Sequence, residues 1–132
     1  MLSRGRLPLS VFLIAITTPC FAQLEITCFL GGPSGDCADF APTFCSSIAS
    51  LSISAGDTVA HCFNGPSAGS SCQFTAVNTL TSSAVPNTIN CESALFTVAD
   101  ECTSGGGGQT TGSNFKYWMD PNAIACGSPN GI

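Results

Sequence analysis

The sequence is poor in charge, and above all in positive charge: 132 residues contain three Lys or Arg, eight acidic residues and one His. Two of the cations, Arg4 and Arg6, lie at the very start, so Lys116 alone stands against eight acids in the remainder, a formal charge of −7. Proteins bind phosphate backbones and anionic membranes through several Lys and Arg side chains. The composition therefore argues against nucleic acid and anionic membranes as partners.

The sequence also lacks an apolar run long enough to cross a membrane. The longest run, Leu7 to Ile16, is about half of the roughly 20 residues that a spanning helix needs. It follows a basic start and precedes the small residues Cys20 and Ala22, which is the pattern of a secretory signal peptide. We expect residues 1–22 to be a signal peptide cleaved after Ala22, and residues 23–132 to form one secreted, extracellular domain.

Neither a Cys-Cys doublet nor a Cys-x-x-Cys pair occurs, which argues against a hydrophobin and against the alternative of a zinc site. The segment after Ala22 holds eight cysteines, an even number, and secreted thiols oxidise, so we expect four disulfides without a free thiol. The pairing stays open, because eight cysteines can pair in many ways. The expected disulfide residues are Cys28, Cys37, Cys45, Cys62, Cys72, Cys91, Cys102 and Cys126.

Hydrophobic periodicity switches between about 2 and about 3.6 residues along the chain, which predicts the order βαββαβ. We expect strands over 23–30, 57–63, 71–80 and 114–119 and helices over 39–50 and 91–102. The predicted fold class is a small disulfide-rich α/β (α+β) domain, with both helices packed on one four-stranded sheet.

Local signals place the ends of these elements. Asp39 and Asn90 are candidate helix caps, and Pro42 is tolerated in a first helical turn. The glycines at 105–108 indicate a flexible connection after the second helix, and Asp120-Pro-Asn122 indicates a turn after the last strand.

Catalytic signals are weak. The close acidic pairs, Asp36 with Asp39 and Asp100 with Glu101, are sequence neighbours at helix ends, whereas a glycosidase needs carboxyls that face each other across a cleft. We expect His61 to be structural. The sequence therefore predicts no enzyme, no catalytic residue, no metal and no cofactor.

The last predicted strand carries the best candidate site. Strand alternation puts Lys116, Trp118 and Asp120 on the face opposite Phe115 and Tyr117. An indole beside carboxylate, amide and ammonium groups suits a sugar, because the pyranose ring has an apolar face and directed hydroxyls. The predicted glycan-binding residues are Trp118, Lys116, Asp120 and Asn122, with Asn64 and Asn78 as further candidates.

Several short motifs follow one another in a characteristic order. They are Cys62-Phe63, Cys72-x-Phe-x-Ala-x-Asn78, Cys91-Glu-Ser-Ala-Leu95 through Val98 to Cys102, the glycine run, and Phe115 to Asn122 before Cys126. This order resembles the small secreted glycan-binding domain of mushroom-forming fungi. The resemblance implies a disulfide-bonded, non-enzymatic lectin with an α/β/α sandwich fold, whose partners are glycans or glycoproteins of fucosylated or N-acetylhexosamine type.

Two other classes remain open at this point. A secreted killer-toxin-like protein or effector can share a small disulfide-rich α/β fold and act on a membrane or protein target. An inhibitor of secreted enzymes would bind a protease or glycosidase without any dependence on glycans.

Overall fold

The computed structural model describes residues 23–65 and 67–127. The predicted signal peptide, residues 1–22, lies outside them. The strands are β1 Leu24–Cys28, β2 Thr58–Asn64, β3 Ser71–Asn78, β4 Gly106–Thr110 and β5 Phe115–Asn122, and the helices are α1 Ala41–Ile48 and α2 Thr88–Glu101. Neither helix in this part of the chain has the length and apolar character needed to cross a membrane.

The five strands form one antiparallel sheet in the order β1-β4-β5-β3-β2. Both helices pack on the same face of it. Phe44 of α1 stacks on Phe74 of β3 with ring centroids 5.3 Å apart, and a Cβ on Gly108 of β4 would lie 3.1 Å from the Ala94 carbonyl oxygen of α2. The described residues thus form two layers, a helix pair and a sheet, rather than the α/β/α arrangement that the resemblance implied.

The small disulfide-rich α+β class with two helices is confirmed, but the prediction of four strands is wrong. The additional strand, β4, contains three of the four glycines that we expected to be a flexible connection. Those glycines are needed because the neighbours come very close: a Cβ on Gly106 would lie 2.9 Å from Cα of Cys28, and one on Gly108 would lie 2.9 Å from Cδ1 of Ile26. Close approach of the neighbouring elements, and not strand propensity, selects glycine here.

The last strand is longer than the sequence indicated, because Asp120-Pro-Asn122 continues β5 instead of turning. Pro121 pairs with Cys72 of β3. Proline cannot donate to a ladder, but β4 has already ended beside Met119, since its first residue Gly106 pairs there. No residue of β4 lies opposite Pro121, so its missing N–H leaves no β4 ladder bond unmade. The prediction of a turn at Asp120-Pro-Asn122 is therefore wrong.

The helix ends also differ from the expected ones. A 3-10 turn, Ala38–Phe40, precedes α1 and contains Asp39, whose side chain makes no capping bond, while Pro42 lies in the first turn of α1 as predicted. The α2 cap is Asn87, whose side chain accepts from the backbone N–H of Asn90 at 2.9 Å. The helix therefore starts three residues before the expected position.

The core lies between the helix pair and the sheet. Its helical part has the predicted periodicity, and alternate residues of β3 and β5 complete it. Fully or almost fully buried are Ala41, Phe44, Cys45 and Ile48 of α1, Cys91, Ala94, Leu95 and Val98 of α2, Phe74 and Ala76 of β3, and Phe115, Tyr117 and Met119 of β5.

All eight cysteines after residue 22 are paired, which confirms four disulfides. The bridges are Cys28–Cys102, Cys37–Cys72, Cys45–Cys91 and Cys62–Cys126. They fasten β1 to the end of α2, the segment before α1 to β3, α1 to α2, and β2 to the segment after β5. Each bridge thereby joins two segments that are far apart in the sequence.

Candidate functional site

The sheet face turned away from the helices, which we call the open face, is where the predicted site lies. Lys116, Trp118 and Asp120 of β5 are half-buried on it, whereas Phe115, Tyr117 and Met119 alternate into the core. On the neighbouring strand β3, Thr75 lies beside Trp118 and Gln73 beside Asp120. The predicted division of β5 into a dry face and a wetter face therefore agrees with the structure.

Trp118 is held in place from three sides. Its ring lies over Gly107 of β4, where a Cβ atom would come within 2.6 Å of ring atoms Cδ2 and Cζ3. The ring of Phe29 is parallel to the indole, with centroids 5.6 Å apart and an interplanar angle of 8°. The Lys116 ammonium lies 4.4 Å from the indole centroid. Aromatic and cation–π contacts of this geometry fix a ring without burying it.

Phe29 also lies in this cluster on the open face, although the sequence did not predict it. It directly follows β1, its backbone N–H donates to the Gly105 carbonyl, and its side chain is 37 % exposed. The alternation Glu25, Thr27, Phe29 was visible in the sequence. That Phe29 meets Trp118 was not, because the contact depends on β1 pairing with β4.

Asp120 gives the open face a carboxyl group next to the aromatic pair. Partial burial raises the pKa of this carboxyl above its usual value. Lys116, the only Lys or Arg in the described residues, has its ammonium on the indole. The Lys116 ammonium therefore lies over the indole ring, and the Asp120 carboxyl belongs to the next residue of β5 on the same face.

Asn122 does not return to the aromatic pair as the turn prediction required. It lies four residue steps from Trp118 along the extended strand, about 13 Å at ~3.3 Å per residue. Its side-chain N–H donates to the Asp120 carbonyl at 3.1 Å. The structure thus groups Lys116, Trp118 and Asp120, and it places Asn122 at the end of the sheet.

Asn78 is separated from the site by burial. It is fully buried, and its side-chain N–H groups donate to the carbonyls of Ile53, Ser54 and Ser82 at 2.9, 3.2 and 2.9 Å. Its side-chain oxygen accepts from the N–H of Leu80 at 3.0 Å. Asn78 therefore ties two loops together, and the structure leaves it no group to offer a ligand.

Asn64 is exposed, but it lies at the end of the edge strand β2, which is separated from Trp118 in β5 by the strand β3. Its side-chain oxygen accepts from the Cys126 N–H at 2.7 Å. The Ser71 hydroxyl donates to the Ile124 carbonyl at 2.7 Å, and the Cys62–Cys126 bridge completes the attachment. Residues 123–126 thus form a strap across this end of the open face, with Asn64 as one of its anchors.

A cleft opens at the same end of the sheet, which we call the sheet-end cleft. Its volume is about 290 Å³. Its walls are Pro33 to Gly35 with Cys37, the hairpin segment Ser67 to Cys72, and Pro121 to Ala123. Asn122 is the one predicted site residue that lines it.

His61 lies on the helix side of the sheet. Its ring meets Phe44 edge-on at 5.7 Å, and its Nδ1 is 3.1 Å from the Ser47 hydroxyl oxygen. That hydroxyl also lies 2.7 Å from the Phe44 carbonyl oxygen, to which it donates. Among residues 23–65 and 67–127, no cluster of three or more His, Cys, Asp or Glu side chains could hold a metal ion.

The segment Gly65-Pro-Ser-Ala-Gly69 matches the Gly-x-Ser-x-Gly motif of serine hydrolases. In those enzymes the serine lies on a sharp turn from a strand into a helix. Here the segment joins the antiparallel strands β2 and β3. The strand-to-helix context of that motif is therefore missing.

Taken together, a disulfide-tied two-layer domain with a fixed aromatic pair among polar groups on an open sheet face has the features of a binding module. Comparison with known families makes this more specific. The family model described as glycan binding domain Y3 matches residues 36–126, more than two thirds of the chain. The chain belongs to this family of glycan-binding domains. No curated protein matches the chain.

Proposed function

We propose that this protein is a secreted, non-enzymatic lectin that binds carbohydrate on the open face around Trp118 and Phe29. The observation that carries the proposal is the parallel aromatic pair, 5.6 Å apart, in a member of a glycan-binding family. Sugar sites combine an apolar surface for the ring with a few fixed polar groups, and Lys116, Asp120, Thr75 and Gln73 surround this pair.

The electrostatics favour a neutral glycan. The segment after residue 22 has one cation against eight acids, so an anionic sugar would be repelled by most of the surface. The ammonium of Lys116 already interacts with the indole. A neutral ligand, such as the fucosylated or N-acetylhexosamine glycans that the sequence resemblance implied, fits these charges better.

A glycan array with the refolded segment 23–132 tests the proposal. Trp118→Phe shrinks the aromatic surface and removes the indole donor, and Asp120→Asn removes the carboxylate. We expect each to weaken binding about tenfold, which corresponds to roughly 1.4 kcal/mol.

Phe29→Ala has a matched control in Phe96→Ala. The two side chains are 37 % and 40 % exposed, but Phe96 is on α2, on the other side of the sheet. Loss of binding in the first variant and retention in the second would locate the site. If no glycan binds, the proposal is wrong and the toxin-like or inhibitor class takes its place; if both Phe variants bind normally, the site lies elsewhere.

A further inference from the structure

The sheet-end cleft is a concave site distinct from the aromatic pair on the open face. It lies beyond Asn122, about 13 Å along β5 from Trp118. At about 290 Å³ it is close to the lower end of ligand pockets in proteins, so it suits a single small ring.

The lining of the cleft selects a neutral ligand. No Asp, Glu, Lys, Arg or His is among its described lining residues. An ion entering it would lose water without gaining a partner charge, which is costly. Nucleotides, amino acids and metal ions are therefore poor occupants.

The polar groups of the cleft are hydroxyls and one amide. Within the described part of the chain, the hydroxyls of Ser34 and Ser67 and the side-chain oxygen of Asn122 make no hydrogen bond. Pro33 and Pro121 contribute apolar surface to the same walls. Apolar surface with a few neutral hydrogen-bonding groups is the combination that a polyhydroxylated ring requires.

The walls are also fixed before any ligand arrives. The Cys37–Cys72 bridge joins the wall around Pro33 to Cys37 to the hairpin wall. Gly35 packs closely on the wall formed by Pro121 to Ala123, because a Cβ atom on Gly35 would lie 3.2 Å from Cβ of Pro121. The hairpin wall is closed by hydrogen bonds between Ser67 and Ser70. A preformed cleft loses little conformational entropy on binding.

We propose that the sheet-end cleft is a second carbohydrate site, which takes one neutral sugar ring. The proposal rests on the proposed lectin function. It makes one chain bivalent, with an aromatic site on the open face and a hydroxyl-lined site at the sheet end, so that a branched glycan or two separate glycans can bind at once.

The test is a titration of the ¹⁵N-labelled segment 23–132 with L-fucose, N-acetylglucosamine and N-acetylgalactosamine, followed by NMR. The backbone amides of Gly35, Gly69 and Asn122 report the cleft, and the Trp118 indole N–H reports the open face. We expect at least one sugar to shift both groups of signals, with two different dissociation constants.

Two variants separate the sites. Ala123 lines the cleft and is exposed, so Ala123→Phe fills the cleft without touching the core. It should weaken cleft binding about tenfold or more and leave the Trp118 titration within about twofold. Asn122→Ala removes a polar group without adding volume and should act in the same direction. Ala55→Phe adds the same ring to the exposed loop between Ile53 and β2, and should change neither titration.

Signals that shift only around Trp118 would overturn the second site while leaving the lectin function intact. Cleft shifts that survive Ala123→Phe and Asn122→Ala would also overturn it. Absence of any shift with all three sugars, together with a silent glycan array, would overturn both proposals.

Discussion

Gly107 of β4 lies beside Trp118 of β5 in the sheet, and the indole ring occupies the space into which a side chain at position 107 would point. The pair explains why a glycine run forms a strand here, and it makes the position of the indole depend on a residue of the neighbouring strand.

Substitution of Gly107 therefore tests how the indole is held. Gly107→Ala should displace the ring, because its Cβ would overlap Cδ2 and Cζ3 of Trp118. We expect a shift in the emission of Trp118, the only tryptophan, a loss of stability of about 1 to 3 kcal/mol and weaker glycan binding. Ala60→Val, on the exposed edge strand β2, adds volume without this overlap and should leave emission and binding unchanged. Unaltered emission in Gly107→Ala would contradict the packing described here.

The two asparagines predicted as further glycan-binding residues should differ in how much their loss destabilises the fold. Asn78→Ala removes bonds to three buried or part-buried carbonyls and to the Leu80 N–H, so it should cost roughly 3 kcal/mol or more. Asn64→Ala removes one exposed bond to the Cys126 N–H and should cost about 1 kcal/mol or less. Urea denaturation of both variants measures the difference. Similar midpoints would show that Asn78 does not hold the two loops together.

These two residues also show how far the sequence could lead. Short-range patterns predicted the faces of α1, α2 and β5, because periodicity reports which side of an element is buried. Asn78 differs, since its burial depends on loops around Ile53 and Ser82 that meet only in the folded chain.

The same reason accounts for the other differences. The strand in the glycine run, the continuation of β5 through Pro121 and the contact of Phe29 with Trp118 all depend on which strands lie next to each other. Strand order is a long-range property that no local pattern contains.

Tyr117 offers a spectroscopic test of the core. Its hydroxyl is buried and makes no hydrogen bond of normal geometry to any of the described residues. Burial raises its pKa from 10.0 to about 12, and the backbone of Asn87 offsets this only in part. Because it is the only tyrosine, absorbance at alkaline pH should titrate near pH 12 in the folded protein and near pH 10 after unfolding.

The direction of the linked stability follows from the same shift. Between about pH 10 and pH 12 the folded state retains a proton that the unfolded state has lost, so stability should fall as the pH rises through this window. Tyr117→Phe removes the buried hydroxyl, so we expect it to reduce this fall and to leave stability near pH 7 equal or slightly higher. A clear loss of stability near pH 7 would indicate a hydrogen bond that the structure lacks.

Asp120 should make glycan binding sensitive to acid. Partial burial raises the pKa of this carboxyl, so protonation on acidification should begin at a higher pH than for an exposed aspartate. If the carboxylate accepts hydrogen bonds from sugar hydroxyls, affinity should fall as the pH drops through this range. Asp120→Asn should bind more weakly at neutral pH and show a flatter pH profile. Equal acid sensitivity in both proteins would assign the effect to another group.

The four disulfides should differ in what their removal costs. Loop-closure entropy alone gives similar values, roughly 4 kcal/mol each, for Cys45–Cys91 and Cys62–Cys126, whose sequence separations are 46 and 64. Cys45 and Cys91 are fully buried between the helices, whereas Cys62 is exposed at the sheet edge. Removing the first bridge with two Ala substitutions therefore also leaves a cavity, which adds about 1 kcal/mol or more.

We accordingly expect the double variant Cys45→Ala with Cys91→Ala to unfold at lower denaturant concentration than Cys62→Ala with Cys126→Ala. The second variant releases the strap, so it should change the NMR signals of Asn64 and Asn122 and leave the Trp118 indole signal in place. The intact mass of the native chain should rise by the mass of about eight hydrogen atoms on full reduction by an added thiol, two per bridge. If loss of the strap moves the Trp118 signal as strongly as that of Asn122, the open face and the sheet-end cleft are not independent, and a single site spans both.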